Sequence, residues 1–373
     1  MRVLHIITGL AAGGAEQQLR LLVRNQRGVA EVAALTNMGS VAQAIMADGT
    51  PVHDIRMRGN TDVAALPRLV GIIRAGSFDV VHTHLYRACV YGRVAARLAG
   101  VRHVVATEHS LGDGVIEGRP TSRGIRALYL AAERLGDATI AVSTTVARRL
   151  VAWGIPRRRV DVIPNGLEVD DYRYDPADRA RLRAGLGIAG DRFVVGTVGR
   201  LVPGKGTDVA LRAIRDQPGA TTLVVGDGPQ RPALTRLANA LGVDAVFTGE
   251  SADVPRLLSA MDVLLAPSRQ ETFNLAVIEA LAAGLPVLYS SCPALDDLPS
   301  ASVPWARRLP ADSDAFGPAV AAEARIGPRR LPPPAALDAY AMAHVVARIE
   351  ALYAKLLGAA ARRGEERVSR SRT

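Results

Sequence analysis

The chain alternates short runs of β-branched residues with longer amphipathic segments, and this alternation constrains the fold more than any other feature. Strand-like runs occupy residues 3–8, 32–36, 52–55, 79–82, 103–107, 139–142 and 160–163. The alternation starts again at residue 193 and continues to residue 290. Such a pattern is typical of α/β folds, in which helices cover both faces of a parallel sheet. The sequence therefore predicts two doubly wound, Rossmann-like domains.

The boundary between the domains is marked by a Pro-Asn-Gly turn at residues 164–166 and by the polar stretch that follows it. We place an N-terminal domain at 1–165, a linker at 166–190 and a second domain at 191–334. Residues 335–357 predict a C-terminal helix that packs back on the first domain, and 358–373 a basic, flexible tail. Because parallel sheets bind ligands beyond the carboxyl ends of their strands, we expect the site in a cleft between the two domains.

The composition indicates a cytoplasmic protein. No apolar run approaches the roughly 20 residues that cross a bilayer, and the first residues are more typical of a strand than of a signal peptide. The two cysteines, Cys89 and Cys292, lie in apolar surroundings far apart in the sequence, as reduced and buried thiols do.

The positive charge lies mostly in the first half of the chain. Residues 1–165 hold 21 arginines and 12 acidic residues, a net charge of +9, whereas the remaining residues carry +1. A basic half favours contact with the inner face of an anionic membrane or with an anionic acceptor. The alternative is codon usage in a GC-rich bacterial genome, because only two of the 46 basic residues are lysines. Nucleic acid is not an expected partner, since the cations are scattered and aromatics make up only 4% of the chain.

The strongest chemical signal lies at residues 267–287. A loop after a strand carries Glu271, and a helix begins near Asn274. The N–H groups of a helix N-terminus form an anion site, so this helix is expected to bind a diphosphate. The expected backbone contacts are those of Thr272, Phe273, Asn274 and Leu275. Glu279 could accept hydrogen bonds from both hydroxyls of a ribose. The alternatives are an acid that complements the helix dipole for Glu271 and a solvated helix face for Glu279.

Two cations follow the first strand of the second domain. Arg200 and Lys205 would neutralise a leaving diphosphate there, the alternative being two solvated loop charges. Gly226 opens a Gly-Asp-Gly-Pro segment after the next strand, which would either approach a nucleotide base or form a simple turn.

In the first domain, paired glycines and one histidine are the candidate site residues. Gly13 and Gly14 link the first strand to the first helix and let the backbone approach a ligand closely. Their spacing does not match the dinucleotide fingerprint G-x-G-x-x-G. His109 follows the strand at 103–107 and could donate a hydrogen bond to a sugar hydroxyl, the alternative being a loop histidine without a role.

Two sequence patterns are typical of metal sites, but neither is predicted to bind a metal here. His82 and His84 form a His-Thr-His segment without an evident third ligand, so we predict no metal. Asp312 and Asp314 match a D-x-D motif, but they precede a helical pattern and predict an N-cap. We therefore expect neither a metal nor a cofactor.

Taken in order, these segments resemble the retaining GT-B glycosyltransferases of family GT4. Glu271 and Glu279 form the E-x7-E pattern of that family. The resemblance covers roughly residues 1–290 and includes Gly13-Gly14-Ala15-Glu16, Val81-His82-Thr83-His84, Ile163-Pro164-Asn165-Gly166, Gly199-Arg200, Lys205-Gly206 and Gly226-Asp227-Gly228-Pro229. It implies a GT-B fold with two Rossmann-like domains facing across a cleft. It also implies transfer of a sugar from a nucleotide-sugar donor, expected to be a UDP-sugar, with retention and without a metal.

The resemblance assigns roles to the candidate residues. Arg200 and Lys205 would contact the donor diphosphate, and Glu279 would bind the ribose. Glu271, with the helix N-terminus beside it, would hold the donor sugar and its phosphates. The acceptor stays open between a lipid-linked sugar, a polysaccharide and a small natural product.

In the first domain the resemblance places Gly14 by the phosphate and His109 by the reacting sugar. Two departures from the family pattern stand out. Thr144 replaces a frequent Glu, and residues 291–296 replace a Gly-Gly-x-x-Glu segment. The second departure leaves the donor identity open.

Three other classes of protein are alternatives to a glycosyltransferase. An epimerase that acts on sugar nucleotides would use the same fold. A nicotinamide oxidoreductase would require the dinucleotide fingerprint and an acid at the end of the second strand, and neither is present. A non-catalytic binder of membranes or nucleic acid would rest on charge alone.

Overall fold

The computed structural model describes residues 1–251 and 253–370, with side chains to residue 358. The chain forms two compact units. The first contains Met1–Gly166 and the C-terminal segment from Met342, and the second contains Leu167–Ala341. Each unit is built on its own sheet of parallel strands, as the alternating pattern predicted.

The sheet of the first unit has seven parallel strands in the order β3-β2-β1-β4-β5-β8-β9, and β6 and β7 form a separate antiparallel pair. The strands of this unit are β1 (Arg2–Gly9), β2 (Val29–Thr36), β3 (Val52–Asp54), β4 (Val80–His84), β5 (His103–Glu108), β6 (Val115–Ile116), β7 (Arg119–Pro120), β8 (Ala138–Ala141) and β9 (Val160–Val162). The central strands are buried on both faces, which explains their nearly continuous apolar sequences.

Helices α1 to α6 connect these strands. They are α1 (Gly14–Asn25), α2 (Ser40–Ala47), α3 (Ala65–Gly76), α4 (Tyr86–Ala99), α5 (Arg123–Glu133) and α6 (Thr144–Trp153). Their apolar faces cover the sheet. For example, Leu69 and Ile73 of α3 pack in one cluster with Leu4 and Ile6 of β1. Cys89 lies fully buried in α4 as a free thiol, and Cys292 of the second unit is also free and buried, as predicted.

The second unit repeats this architecture with six parallel strands in the order β12-β11-β10-β13-β14-β15. The strands are β10 (Phe193–Val198), β11 (Ala220–Val225), β12 (Ala245–Gly249), β13 (Val263–Ala266), β14 (Val287–Tyr289) and β15 (Ala306–Arg308). The helices are α7 (Pro176–Gly185), α8 (Thr207–Ala213), α9 (Arg231–Leu241), α10 (Val254–Ala260), α11 (Leu275–Ala282), α12 (Pro293–Asp296) and α13 (Ser313–Ile326).

The segment predicted as a linker, residues 166–190, contains α7 and lies within the second unit. Asp175 caps this helix by accepting a hydrogen bond from the N–H of Ala177 at 2.7 Å. The buried Arg183 anchors it through an ion pair of 2.7 Å with Asp262, which precedes β13. An ion pair rather than an apolar face therefore holds this helix to the unit. For that reason its sequence is polar and resembles that of a linker.

The C-terminal helix α14 (Met342–Arg370) returns to the first unit. Its apolar face, which includes Val345, Ile349 and Tyr353, packs in one cluster with Val80 and Val105 of the sheet. The predicted start at residue 335 falls in a short 3₁₀ helix, Ala335–Tyr340, of the second unit. The predicted tail from residue 358 begins inside α14, and residues 371–373 lie outside the described residues. Within the described residues, no helix combines the length and apolarity needed to cross a membrane.

In each sheet, the strand order reverses beside the first strand of the unit. The reversal falls between β1 and β4 in the first unit and between β10 and β13 in the second. The loops that leave two such strands diverge to opposite faces of the sheet and open a crevice at their carboxyl ends. These two places are where the candidate residues of the sequence are found.

Candidate functional site

The loops after β10 and β13 bring Lys205 and Glu271 together at the strand-order reversal of the second unit. The ammonium nitrogen of Lys205 lies 2.7 Å from a carboxylate oxygen of Glu271. The Glu271 side chain is 9% exposed and that of Lys205 33%. The two residues are 66 positions apart in sequence, so the fold creates this pair. An anionic ligand here would compete with Glu271 for the Lys205 ammonium.

A small depression lies beside this ion pair. Its walls are the ends of β10 and β13 and the loops that follow them. The lining residues are Thr197, Val198, Gly199, Leu201, Lys205, Thr207, Ala266, Ser268 and Asn274. The hydroxyl, amide and ammonium groups among them suit a polar ligand.

The loop that carries Glu271 ends at the N-terminus of α11. Asn274 is the N-cap residue in a left-handed conformation with φ of 76°, and it makes no side-chain cap to the helix. Its amide instead donates to the carbonyl of Ser291 at 2.8 Å. The structure thus begins the helix at Leu275, close to the predicted start at Asn274. An uncapped helix start presents backbone N–H groups with positive partial charge.

The segment that departs from the family pattern, residues 291–296, braces this same loop. The N–H of Ala294 donates to the carbonyl of Phe273 at 3.2 Å, and the thiol of Cys292 lies 3.4 Å from that carbonyl oxygen. The Phe273 ring is buried against Tyr340, with 5.2 Å between ring centroids. Phe273 therefore contributes its side chain to packing, and only its backbone is available for a ligand.

Glu279 lies on α11 and is partly buried rather than on a solvated helix face. The hydroxyl of Tyr172 donates to its carboxylate at 3.1 Å. Burial raises the pKa of Glu279 to about 7, although the Tyr172 hydrogen bond acts in the opposite direction. Sequence reasoning alone does not identify Tyr172 as a site residue, because it lies in the polar stretch that predicts a linker.

The Gly-Asp-Gly-Pro segment packs directly against the loop after β10. A Cβ atom at Gly226 would lie 2.1 Å from the carbonyl oxygen of Gly199, and one at Gly228 would lie 2.6 Å from that of Leu201. Both glycines have φ values in the region that disfavours side chains, 133° and 157°. Close packing of these two loops therefore requires both glycines, whatever ligand they face.

Arg200 follows the strand end and is exposed. Its side chain forms no ion pair with any carboxylate among the described residues, in contrast with Lys205. Because Arg200 has no carboxylate partner among these residues, an anionic ligand can bind it without displacing one.

In the first unit, the paired glycines stand at the start of α1. Gly13 is the N-cap residue without a side-chain cap, and Gly14 is exposed at the first helical position. This arrangement gives a second helix N-terminus at a strand-order reversal, here beside β1 and β4.

His109 follows β5 and is in contact with His84 at the end of β4. The two rings are stacked with centroids 5.7 Å apart, and the nitrogens Nδ1 of His84 and Nε2 of His109 are separated by 3.4 Å. Burial lowers the pKa of His109 to about 4, and a hydrogen bond between His109 and the Asn165 side chain acts in the opposite direction.

The His-Thr-His segment does have a third histidine beside it, contrary to the sequence interpretation. His5 on β1 pairs in register with His82 on β4, and ligand atoms of His5, His82 and His84 lie within 4.8 Å of one another. Their ring nitrogens are engaged in hydrogen bonds. His82 contacts Tyr353 and Thr107, at 2.5 and 2.7 Å.

The D-x-D motif is an N-cap, as predicted. The carboxylate of Asp312 accepts a hydrogen bond from the N–H of Ala315 at 2.8 Å at the start of α13. The motif therefore serves helix capping.

Comparison with known proteins agrees with this architecture. The family model for Glycosyltransferase Family 4 matches residues 12–171, and the model for Glycosyl transferases group 1 matches residues 192–321. The chain thus belongs to the GT4-type glycosyltransferases with the GT-B fold, which confirms the family and the fold that the sequence resemblance implied.

Curated relatives include two D-inositol 3-phosphate glycosyltransferases. The protein from Nocardia farcinica is 36% identical over 57% of this chain and 51% of its own length. The protein from Mycobacterium tuberculosis is 31% identical over 65% of this chain and 53% of its own length. The chain spans about half the length of the curated relatives it matches.

Solved structures support the fold. HepE of Anabaena, in complex with UDP and glucose, superimposes with a TM-score of 0.83 at 22% identity, covering 95% of this chain and all of the other. Sucrose-phosphate synthase of Thermosynechococcus elongatus gives a TM-score of 0.76 at 20% identity, over 96% of this chain and all of the other.

Proposed function

We propose that this chain transfers a hexosyl group from a nucleoside-diphosphate sugar, with UDP as the expected nucleotide, to a hydroxyl acceptor. The observation that carries the proposal is the Lys205–Glu271 pair at the start of α11, at the strand-order reversal of the second unit. It supplies a cation and a helix N-terminus where an α/β sheet binds ligands.

The donor would be bound by complementary parts of the second unit. The diphosphate would lie against Lys205, Arg200 and the first N–H groups of α11. The ribose hydroxyls would donate to Glu279 in place of the Tyr172 hydroxyl. Glu271 would be released from Lys205 and accept hydrogen bonds from the donor sugar. These roles follow the family resemblance and the distances between the side chains within the unit.

The proposed chemistry retains the configuration of the donor sugar. The bond between the anomeric carbon and the phosphate oxygen breaks while the acceptor oxygen forms a bond on the same face. The departing phosphate oxygen takes the acceptor proton, so that a nucleoside diphosphate is released. The protein then needs chiefly to stabilise the negative charge that grows on the phosphate. Lys205 and Arg200 supply the compensating positive charge, and we therefore propose that no metal is required.

The acceptor is the least defined part of the proposal. The curated relatives are named for D-inositol 3-phosphate, which makes that compound the first acceptor to test. An anionic acceptor also complements the net charge of +9 on residues 1–165. Lipid-linked sugars, polysaccharides and small natural products complete the acceptor panel.

Calorimetry and product analysis test the proposal together. Titration with UDP in the presence of EDTA should show binding, and loss of binding on chelation would contradict metal independence. Incubation with α-linked UDP-, GDP-, ADP- and dTDP-sugars and the acceptor panel, followed by NMR of the product, should show an α-linked glycoside. A β-linked product would exclude retention. Interconversion of the donor sugar without an acceptor would favour an epimerase instead.

A further inference from the structure

The carboxylate of Glu279 has one oxygen occupied by Tyr172 and one oxygen open to a ligand. The Tyr172 hydroxyl donates to Oε1 of Glu279 at 3.1 Å. Among the residues that the structure describes, no donor contacts Oε2. Burial, and after it the charge of Glu279, raises the pKa of Tyr172, so this hydroxyl keeps its proton and acts as the donor.

Backbone hydrogen bonds hold Tyr172 beside α11. It is the last residue of a short 3₁₀ helix, Val169–Tyr172, which packs against α11. Before this helix, the N–H of Leu167 donates to the carbonyl of Tyr340 at 2.7 Å. After it, the N–H of Arg173 donates to the carbonyl of Asp170 at 3.2 Å. Removal of the Tyr172 hydroxyl alone should therefore leave the ring where it is.

Ribonucleotides and deoxyribonucleotides make different demands on this carboxylate. Ribose has two adjacent hydroxyls, which together use both oxygens of one carboxylate. One of them must take Oε1, so the Tyr172 hydroxyl is displaced. A 2′-deoxyribose has only the 3′-hydroxyl, which can bind at the open Oε2 while Tyr172 keeps Oε1. In both complexes Glu279 accepts two hydrogen bonds.

We propose that the Tyr172 hydroxyl replaces the missing 2′-hydroxyl when the nucleotide is a deoxyribonucleotide, which makes Tyr172 a specificity-determining residue of the donor site. This role rests on the proposed function, which places the nucleotide ribose on Glu279. The site then accepts deoxyribonucleoside diphosphates, the class to which dTDP belongs, nearly as well as UDP. Without the Tyr172 hydroxyl, Glu279 would select ribonucleotides.

The number of hydrogen bonds to Glu279 gives the expected affinities. In the native protein, UDP and 2′-deoxyuridine diphosphate (dUDP) each raise this number from one to two. In Tyr172→Phe, UDP raises it from zero to two and dUDP from zero to one. The variant should therefore bind UDP about tenfold more tightly than the native protein does, because each hydrogen bond to a charged group contributes a factor of about ten or more. Its affinity for dUDP should equal that of the native protein.

Calorimetry with UDP and dUDP at pH 9 measures these affinities. At this pH Glu279 is ionised before the ligand binds, because it lies well above the Glu279 pKa of about 7. The two ligands share their base and their diphosphate, so the ratio of their affinities reports on the 2′-hydroxyl alone. The native protein should bind both with similar affinity, and Tyr172→Phe should prefer UDP about tenfold.

Two further variants control for other effects of the substitution. Tyr174→Phe removes a hydroxyl that makes no hydrogen bond within the described part of the chain, and its ring stays under the Arg330 guanidinium, 4.3 Å from the ring centroid. This variant should leave both affinities unchanged. In a Glu279→Ala background, Tyr172→Phe should also change neither affinity, because the hydroxyl then has no carboxylate to occupy. Melting temperatures verify that each variant is folded.

The role of Tyr172 is refuted if Tyr172→Phe leaves the ratio of UDP to dUDP affinity at its native value, whether the two affinities stay constant, rise together or fall together. A native protein that already prefers UDP tenfold, or an effect of Tyr172→Phe that persists in Glu279→Ala, would also refute it. Absence of UDP binding to the native protein, or a UDP affinity that ignores Glu279→Ala, would instead contradict the proposed donor site and this role with it. UDP binding that depends on Glu279, with an unchanged ratio, would refute only the role of Tyr172.

Discussion

Glu279 is a partly buried acid whose ionised form destabilises the free protein but suits a ligand with hydroxyl groups. An ionised carboxylate offers both of its oxygens as acceptors to the two ribose hydroxyls, whereas a protonated carboxyl group uses one oxygen as a donor. The surroundings of Glu279 oppose ionisation, because burial raises its pKa to about 7 from an ordinary value of 4.5. Since the folded pKa lies above the unfolded one, stability falls as the pH rises from about 4.5 to 7, and the cost is fully present above pH 7.

Glu279→Gln should therefore stabilise the free protein at pH 8 and make little difference at pH 4. The melting temperature should rise by roughly 2–4 °C for each kcal/mol that the substitution removes. Glu279→Ala should weaken UDP binding by about 1.5–3 kcal/mol, the range for a charged hydrogen bond. Thermal denaturation at the two pH values and calorimetry with UDP measure the two effects. Unchanged UDP affinity would exclude Glu279 from the ribose site.

Lys205 should contribute more to kcat than to donor binding. Negative charge grows on the diphosphate as the bond breaks, so the ammonium interacts more strongly with the transition state than with the bound donor. Lys205→Ala should lower kcat about 10²–10³-fold, with a smaller rise in donor KM. Lys205→Arg should recover only part of the loss, because a planar guanidinium has a different geometry.

Two controls accompany that measurement. Arg269→Ala removes an exposed cation from the neighbouring loop and should leave kcat nearly normal. The melting temperature of Lys205→Ala should change little, since an ion pair with a one-third exposed lysine contributes about 0–1 kcal/mol. A folded Lys205→Ala protein with near-normal kcat would remove Lys205 from the mechanism.

At the scale of elements, the loops after β10 and β11 are packed backbone against backbone. Gly226→Ala would place a methyl group 2.1 Å from the carbonyl oxygen of Gly199. We expect it to lower stability by about 1–3 kcal/mol and to weaken nucleotide binding, because the loop that carries Arg200 and Lys205 must shift. Gly204→Ala is the matched control in the same loop, with no atom within 4 Å of the new carbon. Thermal denaturation and UDP calorimetry compare the two, and equal stability of both variants would contradict the argument.

The sequence predicted the strands well because their apolar runs reflect burial on both faces of a parallel sheet. The prediction was wrong for elements that do not pack on the sheet through an apolar face. Helix α7 is held by the buried pair of Arg183 and Asp262, and its polar sequence predicts a linker instead. Helix α13, which the sequence indicates only through the N-cap at Asp312, has Pro318 in its interior. Its buried Phe316 and Val320 pack with the core of the second unit, and that packing outweighs the low helix propensity of proline.

The sequence predicts the part of the candidate site that follows a single strand end. It does not predict the contacts between residues that are far apart in the sequence. The spacing of Glu271 and Glu279 and the helix start at Leu275 were visible in a single stretch of sequence. The Tyr172 contact with Glu279 spans 107 positions, and the contact between His5 and His84 spans 79. Only the register of β1 against β4 brings the histidines together, and no local pattern encodes that register.

At the scale of the whole molecule, the two units differ in charge although they share an architecture. Residues 1–165 carry a net charge of +9, and helix α5 presents the exposed Arg123 and Arg126 about one turn apart on one face. Exposed cations that lie close together are attracted to anionic lipid surfaces.

We predict that the protein sediments with vesicles containing phosphatidylserine at low salt and is released at high salt. Exposed charges are screened once the Debye length falls from about 10 Å at 0.1 M to about 3 Å at 1 M salt. The double variant Arg123→Glu and Arg126→Glu should abolish most of the binding. Arg56→Glu with Arg102→Glu makes the same change in net charge at two other exposed positions and should retain more of it. Equal loss in both double variants would assign the binding to net charge rather than to α5, and absence of binding at low salt would leave codon usage as the explanation for the arginines.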